Sequence, residues 1–154
     1  MTDKTTFIHE IRYAERICQR TARLYRRVQT LGTWLTVVAG SATLSALNYQ
    51  VPSWVSATGA VVMAMTGAAL LAIRPADKAA ANEADARKYA SLRQEAQGMT
   101  EVQLRLALDK ARISDVPEIE TLRDVAYNDT VTEYGRHDCV VPLRMHQRVL
   151  AALA

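Results

Sequence analysis

Residues 28–73 contain no Asp, Glu, Lys, Arg or His, a gap of 46 residues in a chain of 154 whose 19 basic and 16 acidic side chains all lie elsewhere. A water-soluble surface needs both signs of charge interspersed along it. A run more than twice the roughly 20 residues that cross a bilayer is also too long to hide in so small a core. The gap therefore excludes a purely soluble enzyme domain, although the averages of 49% hydrophobic, 23% charged and a net charge of +3 describe an ordinary soluble protein. Because the gap holds no ionisable group, it also argues against a proton relay, a voltage sensor or an ion-coupled transporter. It begins too far into the chain and runs too long to be the h-region of a signal peptide.

Cysteine is scarce as well. Cys18 and Cys139 are too few for a disulfide framework or a metal knuckle and fit a reducing compartment. There is no Gly-rich phosphate loop after a strand, no G-x-S-x-G elbow, no H-E-x-x-H and no CxxC pair, so no enzyme, cofactor or nucleic-acid partner is expected. Arg136-His137-Asp138-Cys139, with His146, is the most reactive-looking cluster, but neighbours in a loop do not converge on a metal and the spacing matches no structural zinc site. His9 reads as a solvated side chain, and Cys18 as a small hydrophobe on an apolar face.

What the gap does contain is apolar, and it divides at the turn-forming residues 48–53, where Pro52 cannot continue a helix. Two spans result, 31–47 and 54–73. Backbone groups in lipid must be satisfied within the segment, so both are expected to be helices joined as a transmembrane hairpin. Arg12, Arg16, Arg20, Arg23, Arg26 and Arg27 precede the first span, and Arg74, Lys78, Arg87, Lys88 and Arg93 follow the second, while the turn has no basic residue. The positive-inside rule then puts both termini in the cytoplasm of a multi-pass inner-membrane protein. Tyr49 and Trp54 would mark the outer interface, Trp34 and Tyr25 the inner one.

The flanking segments carry helical periodicity. Phe7, Ile11, Ala14, Cys18, Thr21, Tyr25 and Val28 fall on one face of a helix over 1–30 that runs into the first span. Arg12, Arg16, Arg20, Arg23 and Arg27 form a second stripe on it, and with Arg74 they are candidates for binding anionic headgroups or an acidic partner surface. Beyond the membrane, helices are expected at about 77–97, 101–113, 118–134 and 143–153. Tyr89, Leu92, Ala96 and Met99 give the first an apolar face, Gly98 stops it, and Thr100-Glu101-Val102-Gln103 reads as a capping box for the second, which carries Leu104, Leu106, Leu108 and Ala111. The expected fold is all-α, with a two-helix membrane hairpin and a cytoplasmic bundle of the N-terminal and C-terminal helices over 74–154.

Within the spans, small residues recur at helical spacing: Gly32, Thr36, Gly40 and Thr43 on the first, and Ser56, Gly59, Met63, Thr66 and Gly67 on one side of the second, beside an Ala60, Ala64, Ala68 ladder. Helices in lipid associate where such residues let backbones approach. One ladder can serve the hairpin's own contact and another a neighbouring protomer, so a homo-oligomer is expected, and any path through it would be lined by Gly, Ser, Thr and Met.

This layout resembles the SLATT family, two-transmembrane effector domains associated with bacterial nucleotide-signalling and conflict systems. The resemblance spans nearly the whole chain and rests on three features. They are the helix bearing Arg16, Arg20, Arg23 and Arg26-Arg27 before the hairpin, the K-Y-A-S-L-R-Q-E-A stretch with Tyr89 and Leu92, and P-E-I-E-T-L-R-D-V-A-Y-N-D with Pro117, Ala126 and Asn128. It implies an inner-membrane, pore-forming effector in antiviral defence, with sensing left to a partner such as a signalling protein or to a nucleotide second messenger. A membrane anchor whose bundle recruits a soluble partner competes with this reading. A holin-like lysis protein does so less well, since it would not need some eighty residues after its hairpin.

Overall fold

A computed structural model describes residues 4–45 and 52–154, and every regular element among them is helical. No Gly or Pro interrupts the chain between Lys4 and Leu31, and α1 runs unbroken over Lys4–Leu44. Five further helices follow: α2 (Ser53–Ile73), α3 (Pro75–Glu95), α4 (Glu101–Ile113), α5 (Arg123–Glu133) and α6 (Met145–Leu153). The expected turn at 48–51 and Tyr49 lie outside the described residues. The contacts divide the chain into two compact units, Met1–Leu24 with Lys78–Ala154, and Tyr25–Asp77.

In the first unit the apolar stripe of α1 is buried as its spacing requires. Phe7, Ile11, Ile17 and Cys18 share one core with Tyr89 and Leu92 of α3, Leu104 and Leu108 of α4, and Ala126 of α5. A second, smaller core joins Leu24 to Leu122, Val125 and Ala154. Leu106 departs from expectation. On a helix only residues three or four apart share a face, so Leu104, Leu108 and Ala111 turn inward while Leu106 is exposed.

Helix ends follow local chemistry. The Thr100 Oγ1 accepts the Gln103 N–H, and the Gln103 side chain accepts the Thr100 N–H at 2.9 Å, the capping box that starts α4. α3 begins at Pro75, two residues earlier than expected, because proline suits the first helical position. The expected helix from 118 begins only at Arg123. Pro117 and the extended Ile119 delay it, and a 3₁₀ turn at Glu120–Leu122 precedes α5. α5 closes at Gly135, whose φ of 71° lies in the left-handed region that glycine enters without strain.

In the second unit, the latter part of α1 and α2 lie antiparallel: Gly32 sits beside Leu70, Gly40 beside Met63, and Gly59 beside Ala39, Ala42 and Thr43. α2 ends at Arg74, which is also left-handed, at φ 52°, and donates its N–H to the Leu70 carbonyl. The Arg74 guanidinium lies 2.7 Å from the Asp77 carboxylate, with both side chains exposed.

Candidate functional site

Two places in the molecule carry more than packing: the uncharged helix pair of the second unit and the arginine stripe of the first. Along the pair, Gly32 of α1 lies beside Leu70 of α2, Gly40 beside Met63, and Ala39, Ala42 and Thr43 against Gly59. Approach is closest at Gly59, where a Cβ would stand 2.6 Å from the Ala39 carbonyl oxygen and 2.9 Å from the Thr43 nitrogen. At Gly32 a Cβ would meet only the movable end of Leu70, at Gly40 it would rest 3.5 Å from Met63 Sδ, and at Gly67 it would meet nothing within 4 Å. The hydroxyls of Thr36 and Thr43 donate to the Gly32 and Ala39 carbonyls of their own helix, both at 2.9 Å, so their polarity is satisfied without water.

The remaining surface of the pair is apolar and open. Trp34, Val38, Trp54, Met65 and Leu71 are all exposed, Leu71 to 80%. One helical stretch among the described residues, within Ser53–Glu95, is long and apolar enough to cross a bilayer, and only 6% of its apolar window is buried by the chain. At 1.5 Å per residue α2 alone reaches about 31 Å, the thickness of the hydrocarbon core. The uncharged part of α1 within the described residues, 28–44, reaches only about 25 Å and includes Gln29, Thr30 and Thr33, so it does not meet the same length and apolarity on its own.

The arginine stripe of α1 meets carboxylates of its own chain. Arg12 Nε donates to both Glu133 oxygens at 3.0 and 3.1 Å, and Arg16 adds a contact at 2.9 Å. Arg20 forks onto Asp129 at 2.7 and 3.0 Å and reaches the Ala151 carbonyl at 3.2 Å. The bonds from Arg12, reinforced by Arg16, hold the Glu133 carboxyl below the usual glutamate range, although burial works against this. Arg23 and Arg27 are exposed. The signal for these partners was in the sequence, since Asp129 and Glu133 are four apart on α5 and so share a face, but nothing in the spacing says which stripe they meet.

Three further acidic residues hold the first unit together. Buried Glu15 accepts from Arg12 at 2.8 Å and from Arg93 at 3.0 Å, tying α1 to α3. Lys88 of α3 donates to Asp85 at 3.0 Å, to Asp115 at 2.6 Å and to the Ala111 carbonyl at 2.9 Å. Asp85 also accepts the Val116 N–H at 3.0 Å, and Asp115 accepts the hydroxyl of fully buried Tyr89. The linker after α4 is thus pinned to α3 by one lysine and two carboxylates. Burial opposes the charge on Lys88, yet the bonds to Asp115 and Asp85 win and raise its pKa, while burial and Asp115 raise that of Tyr89.

Among the described residues no three His, Cys, Asp or Glu side chains come together as a metal site. His9 packs its ring 4.2 Å from that of Tyr134, beside an open groove of about 330 Å³ whose lining includes Tyr13, Tyr127 and Arg136. Burial, helped by Asp115 and Asp85, pushes the Cys18 thiol up to about 12. Because that value lies above the unfolded thiol's, near 8.5, the stability Cys18 contributes is fully present below about pH 8.5 and is lost as pH rises toward 12. At pH 8 a maleimide should label Cys139 and spare Cys18 by at least about 100-fold in rate, since only the thiolate reacts. Mass mapping of the labelled peptides checks this, and equal labelling would contradict the packed core around Cys18.

No protein-family model matches the chain, and neither does any curated protein or solved structure. The functional reading therefore rests on this geometry.

Proposed function

We propose that the chain is an inner-membrane effector in which the helix pair of the second unit is a two-span hairpin with both termini cytoplasmic, and the first unit is a cytoplasmic body that receives a signal. Copies assemble into a homo-oligomer and perturb or permeabilise the bilayer, in line with the resemblance to SLATT effectors and their place in antiviral defence. The observation that carries the reading is the uncharged, exposed apolar surface of the helix pair. Water penalises such a surface, and lipid does not. Gly32, Gly40 and Gly59 serve the contact within the chain, which leaves Ala64, Gly67 and Ala68, open on α2, for neighbouring copies.

The competing anchor reading, in which the bundle recruits a soluble partner through the arginine stripe, is weakened because Glu133 and Asp129 already occupy Arg12, Arg16 and Arg20. The two readings separate with the full chain reconstituted into vesicles of mixed zwitterionic and anionic lipid loaded with a self-quenching dye. The effector reading expects leakage that rises more than linearly with the protein-to-lipid ratio. Protein that floats with the vesicles yet retains the dye at every ratio would leave the anchor reading standing. Protein that does not float with them would overturn the membrane assignment itself.

A further inference from the structure

α6 is apolar on two opposite sides. Leu150, Ala151 and the closing Ala154 pack into the smaller core with Leu24, Leu122 and Val125. Met145, Val149 and Leu153 recur every four residues on the other side and are exposed to 80%, 57% and 38%. The helix is firmly held in this attitude. Asn128 accepts the Val141 N–H and donates to the Val141 carbonyl, each at 2.8 Å, just before α6 begins. Gln147 donates to Asp124 at 2.7 Å, and Arg20 to the Ala151 carbonyl at 3.2 Å. The outward apolar row is therefore a property of the fold and not of a frayed end.

The position of α6 names what covers that row. Arg16 meets Glu133, Arg20 meets Asp129 and Leu24 shares a core with Val125, so α5 runs antiparallel to α1 and starts level with Leu24. α6, tied to Asp124, Arg20 and Leu24, lies at that same end of the first unit. α1 continues there without a break, and one turn beyond Leu24, about 6 Å of rise, Val28 opens the uncharged stretch. The exposed apolar residues of α4 have no such position. Lys4, about 30 Å of helix before Leu24, donates to the Met99 carbonyl at 2.8 Å beside the start of α4, and Arg112 near its end meets Glu10 at 2.9 Å. Charge agrees with position. Residues 139–154 include Arg144, His146 and Arg148 but no Asp or Glu, whereas α4 mixes Glu101 and Asp109 with Arg105, Lys110 and Arg112.

We propose that α6 lies flat on the cytoplasmic leaflet, with Met145, Val149 and Leu153 below the headgroups of an anionic bilayer and Arg144 and Arg148 at their phosphates. The inference rests on the membrane reading and adds to it a second, in-plane contact made by the cytoplasmic body. The test uses the full chain with Cys139→Ser, in which the remaining Cys18 is buried. Val149→Cys, Val102→Cys on α4 and Leu71→Cys on α2, all at exposed positions, each carry an environment-sensitive fluorophore. The vesicles are phosphatidylcholine with phosphatidylglycerol, part of it brominated near the top of the acyl chains. Bromolipid should quench the label at 149 at least about threefold more than the label at 102, because only an interfacial helix brings its outer face to acyl depth. Vesicles without phosphatidylglycerol, or Arg144→Glu/Arg148→Glu with helicity unchanged by circular dichroism, should lower quenching at 149 at least about twofold. Equal quenching at 149 and 102 would overturn the inference, as would a blue-shifted label at 149 that bromolipid does not reach, which would place a protein partner on α6. Quenching at 71 without quenching at 149 overturns the α6 contact alone, and absence of quenching at both overturns the membrane reading beneath it.

Discussion

Gly59→Ala should separate the two helices of the uncharged pair, and Gly67→Ala should not. Alanine is favoured over glycine in a helix by about 1 kcal/mol, so both substitutions would be mildly stabilising if local propensity decided. At Gly59 the added methyl would stand 2.6 Å from a backbone carbonyl, and a backbone atom cannot swing aside as a side-chain end can. The helices must move apart over several turns, which forfeits the contacts at Ala39, Ala42 and Thr43. The expected outcome is an order-of-magnitude or larger loss of vesicle leakage for Gly59→Ala, and complete loss for Gly59→Leu. Gly32→Ala, which meets the movable end of Leu70, should give a partial loss. Gly40→Ala, at an ordinary contact distance from Met63, and Gly67→Ala, in open space, should leak like the parent. Leakage that fell equally in all four alanine variants, or in none, would show that the close approach at Gly59 does not govern the activity.

Asp115→Ala should be the most damaging single change in the first unit. It strips the acceptor from the hydroxyl of Tyr89, which is fully buried, and takes one of two carboxylates from Lys88. An unsatisfied buried hydroxyl costs about 1–3 kcal/mol, and a partly buried ammonium deprived of a partner adds to that, so about 2–4 kcal/mol is expected in total. For a helical body of this size that is a fall of several degrees or more in the thermal midpoint, read by circular dichroism of the full chain in detergent. Tyr89→Phe, which removes the hydroxyl and leaves the ring packed, should cost only about 1 kcal/mol. Adding it to Asp115→Ala should cost less than the sum, because the second change removes the group that the first left unsatisfied. Strict additivity would show that the two side chains do not act as one unit.

These two cases mark how far the sequence could be read. The stripe from Phe7 to Thr21 and the capping box of Thr100 and Gln103 were legible because each depends on residues three or four apart along one helix. The same rule, applied more strictly, would have placed Leu106 on the outside of α4. The small residues of α1 and α2 were visible as ladders, but the ladders could not say that Gly59 lies against backbone and Gly67 against nothing. That depends on the relative height and rotation of two helices, to which spacing within one helix is blind. The arginine stripe is equally visible, but its spacing does not show that three of its members, Arg12, Arg16 and Arg20, meet Glu133 and Asp129, more than a hundred residues further along the chain.

By itself the sequence determined that a 46-residue stretch has no charge to offer water, that the helices start and stop near their observed ends, and which faces of them are apolar. These are local properties, set by composition and by the period of one helix. Only the tertiary structure decided which glycine bears the closest approach, that three of the arginines are already engaged, that Lys88, Asp85, Asp115 and Tyr89 form one linker clamp, and which of the two apolar sides of α6 is turned inward. Each of those depends on bringing distant segments to within a few ångströms, and hydrogen bonds, ion pairs and steric contacts act only over that range.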